Sequence, residues 1–343
     1  MAGLVAAVEA TERGADVLVL EKGDVAGGSM RLSSGVVWRY RDFERFREEC
    51  PGGSAELQRL VHDRLDDDIG WLERLGARVV GRSTGNPATT GVRFAVRSLV
   101  QALAPRVRRL QLREPLRALP DDTPVVLATG GFQADRELVQ RHITPEANGL
   151  LLRATPWSTG DGLRLALEAG AVETAGMDEF YGRAMPAPPA RVDEGQFVEL
   201  AQLYAHHATV ENAAGEHYVP RTWSEIDVVQ WMARQPEARA RFRVSSDTLT
   251  TRVRERTVGE MVDAAERVGA PVHRADDGVE VDVVAGITTT LGGIQVDRSG
   301  RAADGVYAAG CDVGGIATGG YASGLAAALV LGRVAAAAAL EDR

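Results

Sequence analysis

The chain has 343 residues, 45% of them hydrophobic and 25% charged, a composition that excludes a disordered chain and is long enough for two lobes with cores of their own. A net charge of −9, with the positive residues scattered along the chain, leaves no basic footprint and excludes nucleic acid as an expected partner. The only cysteines, Cys50 and Cys311, give no disulfide framework and no paired-cysteine zinc or iron–sulfur site; with no cationic leader and cleavage site at the N-terminus, a cytoplasmic location is expected.

Residues 3 to 13 form the pattern of a helix whose Leu4, Val8 and small Ala6, Ala7 and Ala10 suit close packing on a sheet, and Gly14 ends it. ADVLVLEKG (15 to 23) is a short apolar run closing on an acid, as in a buried parallel strand. The Gly- and Ser-rich GDVAGGSMRLSSG (23 to 35) must be an irregular loop with exposed N–H groups, fit to hold a phosphate. Helical patterns follow over 43 to 75 and 98 to 110, then a second buried strand over 123 to 132 that ends in paired glycines. ITPEANGLLLRATPWSTGDG (143 to 162) carries a tight turn that opens a helix over 163 to 171. Residues 172 to 284 hold most of the histidines, two of the five tryptophans and no recurrent Gly-rich loop, the texture of a separate lobe inserted into the first. Gly-rich segments return with TTTLGGIQVD (288 to 297) and VYAAGCDVGGIATGGYASG (306 to 324), ahead of a final helix from Leu325. The longest apolar stretches, Gly324 to Leu331 and Val334 to Leu340, are interrupted by Arg333 and fall short of the roughly 20 residues of a membrane span. No transmembrane segment is expected.

In a dinucleotide-binding fold, the strand after the first helix ends in an acid whose carboxylate accepts the ribose hydroxyls of the adenosine half. Glu21, closing VLVLE, is the candidate. The first helix should open with GxGxxG, whose glycines let a pyrophosphate approach the backbone at a helix N-terminus; only the last of these glycines, Gly3, is present. The preceding strand and GxG are missing, which points to a late start codon or to a truncated paralogue.

LEKGDVAGGSMRLSSG, VVLATGGF, STGDGLRLALEAGA, TLGGIQVD and VYAAGCDVGG, in this order, span nearly the whole chain. As a set they resemble the fumarate reductase/succinate dehydrogenase flavoprotein superfamily. That resemblance implies a doubly wound, Rossmann-like α/β domain binding FAD, with an α+β capping domain inserted: 1 to 171 as the first part of the FAD domain, lacking the first strand and GxG, 172 to 284 as the cap, and 285 to 343 as the second part. It places Glu21 and Lys22 by the adenosine ribose, and Gly27, Gly28, Ser29, Ser33, Ser34 and Gly35 along pyrophosphate and flavin. Ala128, Thr129, Gly130 and Asp161 would also border the cofactor. Where the fumarate and succinate enzymes have AAGE, this chain has Gly310, Cys311 and Asp312. The segment is more similar to the AAGND, GG and Tyr of 3-ketosteroid dehydrogenase-like flavoproteins, with Asp312 on the Asp and Tyr321 on the Tyr. Gly324 and Leu325 then open a helix whose dipole favours negative charge at the flavin pyrimidine edge.

The same resemblance implies which substrate groups are missing. Enzymes acting on fumarate or succinate hold two carboxylates with cations, and the corresponding places here hold Tyr321 and Thr289. GEHYVPRTWSE (215 to 225) puts Glu225 at the spacing of that family's proton-donating Arg and offers Arg221 four residues early. The expected activity is therefore FAD-dependent dehydrogenation or reduction of a C–C bond beside a carbonyl, on a ketosteroid-like or smaller enone, with an unknown electron partner. Tyr321 is the candidate for polarising the ketone, and Tyr181 and Arg221 are further catalytic candidates. His206, His207 and His217 lack metal-ligand spacing, and no metal is expected. A fumarate- or succinate-like carboxylate oxidoreductase and a truncated, non-catalytic binding protein stand as alternatives.

Overall fold

The computed structural model describes residues 1–342. Two compact units divide the chain: residues 1–134, 155–179 and 290 onward form the first, and 135–154 with 180–289 form the second. The insertion is thus discontinuous. Residues 135–154, placed by sequence in the first domain, belong to the second unit, and 172–179, placed in the cap, belong to the first.

In the first unit, helix Ala2–Glu12 ends at Gly14, which adopts φ +88, and strand Leu18–Glu21 follows. That strand pairs in parallel with Arg109–Leu112, Leu18 opposite Arg109 and Glu21 opposite Leu112. A second parallel pair, Val125–Leu127 with Val306–Ala308, has Arg301–Ala303 antiparallel on its outer edge. The two parallel pairs belong to separate sheets, and helix Ala2–Glu12 packs against a strand of each. A small antiparallel sheet, in the order Val36–Tyr40, Thr89–Phe94, Val79–Gly81, completes the unit's β-structure.

Two expected helices turn out differently, for local reasons. The helical pattern over 43 to 75 breaks into Phe43–Glu49 and Ala55–Arg74, because Pro51, Gly52 and Gly53 cannot continue a helix and Ser54 caps the second one, accepting the Leu57 N–H. The pattern over 98 to 110 yields helix Val96–Leu103 and a short turn containing Pro105. Its last residues are the strand Arg109–Leu112.

The core of the unit is the contact between helix Ala2–Glu12 and helix Gly324–Glu341. Small residues set the spacing: a Cβ on Gly332 would lie 2.8 Å from the Ala2 carbonyl. Across this contact the Arg333 Nε donates to Glu9 at 2.6 Å and its guanidinium also pairs with Asp68 while lying over the Trp71 ring. Gly324–Glu341 has mean hydropathy 1.6 and is long and apolar enough to cross a membrane by composition, which the interruption at Arg333 had argued against. In the fold it is a core helix, 56% buried.

The second unit is built on one sheet running His217–Tyr218, Thr209–Glu211, Arg239–Ser245, Gly278–Thr290, Val272–Ala275, with Leu151–Leu152 and Phe180–Pro186 also pairing with the long strand. Alternation in Arg239–Ser245 sends Ala240, Phe242 and Val244 into the core. The intervening Arg241 and Arg243 point out and pair with Asp282, Glu280 and Glu211 on neighbouring strands. Helices Arg136–His142, Ile226–Ala233 and Val258–Arg267 complete it.

Candidate functional site

Most of the residues singled out from sequence lie in loops at the ends of the parallel strands of the first unit. Glu21 closes its strand half-buried, and its Oε1 accepts the Gly23 N–H at 2.8 Å, which leaves lone pairs of the carboxylate for another donor. Lys22 turns away from it: Nζ donates to Asp161 Oδ2 at 2.7 Å and to Thr159 Oγ1. The Lys22–Asp161 pair therefore ties the first strand's end to the start of helix Asp161–Glu168.

Gly27 and Gly28 sit at φ +109 and +51, left-handed values that favour glycine. They start the short 3₁₀ turn Gly28–Leu32, which no side chain caps, so its first N–H groups have no acceptor within the turn. A Cβ on Gly28 would meet no atom within 4 Å, so there is open space beside the turn at this residue. Ser29 anchors it from below by accepting the Thr155 N–H at 3.1 Å. Ser33 donates to the Met30 carbonyl and accepts the Gly35 N–H, and Ser34 is exposed. Gly35 is needed for space, since a Cβ would lie 2.3 Å from the Phe94 carbonyl.

Asp312 is the electrostatic centre of the loops that follow the second parallel pair of strands. It is 2% exposed and accepts the Thr129 N–H, the Thr129 hydroxyl at 2.9 Å and the Gly131 N–H at 2.9 Å. Burial pushes its carboxyl above the usual carboxylate range, and the donors from Gly131, Thr129 and Gly130 pull the other way. Thr129 in turn accepts the Gly162 N–H at 3.0 Å. One buried carboxylate so fastens the Ala128–Gly131 loop to the turn at Gly310–Asp312, and through Thr129 to helix Asp161–Glu168. Gly3 stands against the same loop, its Cβ position 3.4 Å from Ala128.

Tyr321 sits at the end of the glycine-rich segment, half-buried, two residues before Ser323, which caps helix Gly324–Glu341 by accepting the Ala326 N–H. Its carbonyl accepts the Tyr40 hydroxyl at 2.7 Å, and its ring lies 5.3 Å from that of Trp38. Residues missed by sequence reading brace this segment. Gln58, fully buried, donates to the carbonyls of Cys50 and Ile316, and Gly320 lies so close to the Glu49 carbonyl that no side chain fits. The Tyr321 N–H reaches the Cys50 sulfur, whose thiol burial pushes up to about 12, a packed rather than a reactive cysteine.

The other two catalytic candidates lie in the second unit. Tyr181 is half-buried beneath the Arg183 guanidinium, 5.0 Å from its ring. Arg221 has a 78% exposed side chain and holds Tyr218 and Asp227, which makes it a surface brace for the turn before helix Ile226–Ala233. His206 also serves that turn, its Nε2 lying 2.8 Å from the Thr222 carbonyl. Arg153 and Arg183, at 7% and 4% exposed, were not singled out from sequence. Arg153 reaches Thr288 and the Phe197 carbonyl, and Arg183 donates to the Ser224 carbonyl. Arg183 lies in strand Phe180–Pro186 and Arg153 just past strand Leu151–Leu152, and no local sequence signal marks either.

The first unit's fit to a dinucleotide rests on three observations: an uncapped glycine turn, a strand-end acid with unused acceptor capacity, and left-handed glycines where strands turn into loops. The family model described as "FAD binding domain" matches residues 1–110 and 116–325. The chain is 26% identical over 267 residues to fumarate reductase (cytochrome) of Shewanella frigidimarina, covering 64% of this chain and 46% of that protein. It is 26% identical over 276 residues to vinyl phenol reductase of Lactiplantibacillus plantarum, covering 65% and 52%. The chain thus spans about half the length of these relatives. Among solved structures, 3-ketosteroid-Δ4-(5α)-dehydrogenase of Rhodococcus jostii RHA1, in complex with 4-androstene-3,17-dione, superposes with a TM-score of 0.72 at 19% identity, over 98% of this chain and 94% of that one.

Proposed function

Because the chain belongs to the FAD binding domain family, we propose that it is an FAD-dependent oxidoreductase acting on a C–C bond next to a carbonyl, with an uncharged ketone or enone as substrate. When bound, FAD supplies two-electron chemistry that no side chain here can perform. Glu21 takes the ribose hydroxyls, the open N–H groups at Gly28 and Ser29 take the pyrophosphate, and Ser33, Ser34, Gly35 and the Ala128–Gly130 loop border the rest of the cofactor. Asp312, Asp161 and Gly310 keep that loop in shape. The start of helix Gly324–Glu341, at Gly324 and Leu325, favours negative charge developing beside it.

Tyr321 is the observation that carries the substrate class. Its carbonyl is held by Tyr40 and its ring packs near Trp38, and by the family resemblance it stands where a carboxylate-binding enzyme has a cation. Hydrogen-bonded to a ketone oxygen, the phenol stabilises enolate character and acidifies the neighbouring C–H. Relatives named for fumarate and for a vinyl phenol bracket the chemistry, because both names describe reduction of an alkene.

Anaerobic stopped-flow reduction by 3-ketosteroids, small cyclic ketones and succinate tests this. Tyr321→Phe is expected to keep FAD and the fold while slowing reduction by a ketone roughly 10²-fold, the effect of one oxyanion donor. Reduction by succinate alone, indifferent to the Phe change, would overturn both the substrate class and the role of Tyr321.

A further inference from the structure

Trp157 is the one tryptophan among the exposed large hydrophobic residues, at 41%. A single exposed apolar residue needs no explanation, but its surroundings here are specific. Gly23 does not adopt a left-handed φ, so backbone conformation does not account for a glycine there. Space does: a Cβ on Gly23 would lie 2.9 Å from Trp157 Cδ1, 3.1 Å from its Nε1 and 3.2 Å from Glu21 Oε1. The missing side chain lets the indole edge and the Glu21 carboxylate converge on one point.

Trp157 is also held in place. The Trp157 carbonyl accepts the Thr159 N–H, Ser158 is buried with its carbonyl accepting the Ala134 N–H, and Thr159 receives Lys22 Nζ. The ring is therefore presented by an anchored segment, with part of its surface open to solvent beside a carboxylate that retains acceptor capacity. We propose that Trp157 is the stacking platform for the adenine of FAD, which makes it the residue that selects the dinucleotide over a flavin mononucleotide. The inference rests on the reading of Glu21 as the ribose acid: the base is joined directly to that ribose, so placing the hydroxyls on Glu21 brings the purine to the indole. Lys22 is engaged with Asp161 and Thr159 and does not pair with Glu21. Stacking on an aromatic face depends on the ring and not on any particular hydrogen bond.

The test is titration of the apoprotein with FAD, ADP and FMN, followed by flavin absorbance and by tryptophan fluorescence. Trp157→Ala is expected to weaken FAD and ADP binding by roughly tenfold or more, the range for removing one base–aromatic stack, and to leave FMN unaffected. Trp157→Phe keeps a ring and should restore most of the affinity, while abolishing the fluorescence quenching that ADP causes in the unaltered chain. That rescue would not follow if Trp157 were only a structural side chain. Unchanged FAD affinity in Trp157→Ala overturns the stacking role and leaves the flavin reading standing. Failure of the unaltered chain to take up FAD overturns both.

Discussion

Asp312 in the first unit and Glu225 in the second are both buried carboxylates, at 2% and 7% exposed, and burial pushes both above the usual carboxylate range. They are accommodated in opposite ways. Asp312 is surrounded by donors from a single loop, two backbone N–H groups and a hydroxyl, so its charge is solvated by the fold itself. Glu225 accepts the His206 N–H at 3.3 Å and is otherwise steadied by the Ala205 N–H and by attraction to Arg183. It also holds φ +59, a left-handed conformation that costs a glutamate of order 1–3 kcal/mol. Such strain persists only where the surroundings impose it. The contrast separates a carboxylate that stabilises its unit from one that its unit tolerates.

The largest expected effect comes from removing the first. Asp312→Ala leaves the Thr129 and Gly131 N–H groups and the Thr129 hydroxyl without their acceptor, and each buried orphan costs about 1–3 kcal/mol. A loss of about 3 kcal/mol or more in urea unfolding is expected, with flavin uptake lost as the Ala128–Gly131 loop slackens; Asp312→Asn, which keeps an acceptor, should recover part of both. Unchanged stability in Asp312→Ala would erase the distinction between the two acids. Glu21 sharpens it from the other side, being a half-buried carboxylate whose Oε1 accepts the Gly23 N–H. Glu21→Ala should scarcely change unfolding but weaken FAD binding by about 1–3 kcal/mol, the value of a charge-assisted hydrogen bond; an unchanged dissociation constant would remove Glu21 from the site.

What sequence could reveal of this follows the range of the interactions. The first helix and strand, Ala2–Glu12 and Leu18–Glu21, and the glycine turn after them are governed by local periodicity and by Gly14, Gly27 and Gly28, so they were legible to within a few residues. The break at Pro51–Gly53 was written in local signals but hidden by helical patterns on both sides. Asp312 could be named from its place after a glycine-rich strand, yet its partners Thr129 and Gly131 lie some 180 residues away, and no local pattern connects them. The same holds for Gln58 beneath Ile316 and for Trp157 against Gly23. The second unit was the least legible part: residues 135–154 join it through the pairing of Leu151–Leu152 with Gly286 and Ile287, a contact across more than a hundred residues that composition does not encode.

The smallest effect, and the one that isolates charge from backbone, is the pH dependence of Glu225→Gln. Glutamine keeps an oxygen for the His206 N–H and keeps the strained φ, so the variant differs from the parent chiefly in having no proton to lose. With its folded pKa raised above the unfolded value of about 4.3, Glu225 holds its proton more firmly in the folded chain. Its contribution is then most favourable below about pH 4.3 and declines as pH rises through the folded pKa. The stability of Glu225→Gln relative to the parent should therefore increase on going from about pH 4 towards neutrality and level off above the folded pKa. Arg183 opposes the trend, since its attraction lowers the Glu225 pKa, and this partial offset is why the effect is smaller than that at Asp312 or Glu21. Thermal unfolding of both proteins across that pH range measures it. A difference that shrinks or changes sign as pH rises would mean that the Arg183–Glu225 attraction outweighs the burial of Glu225.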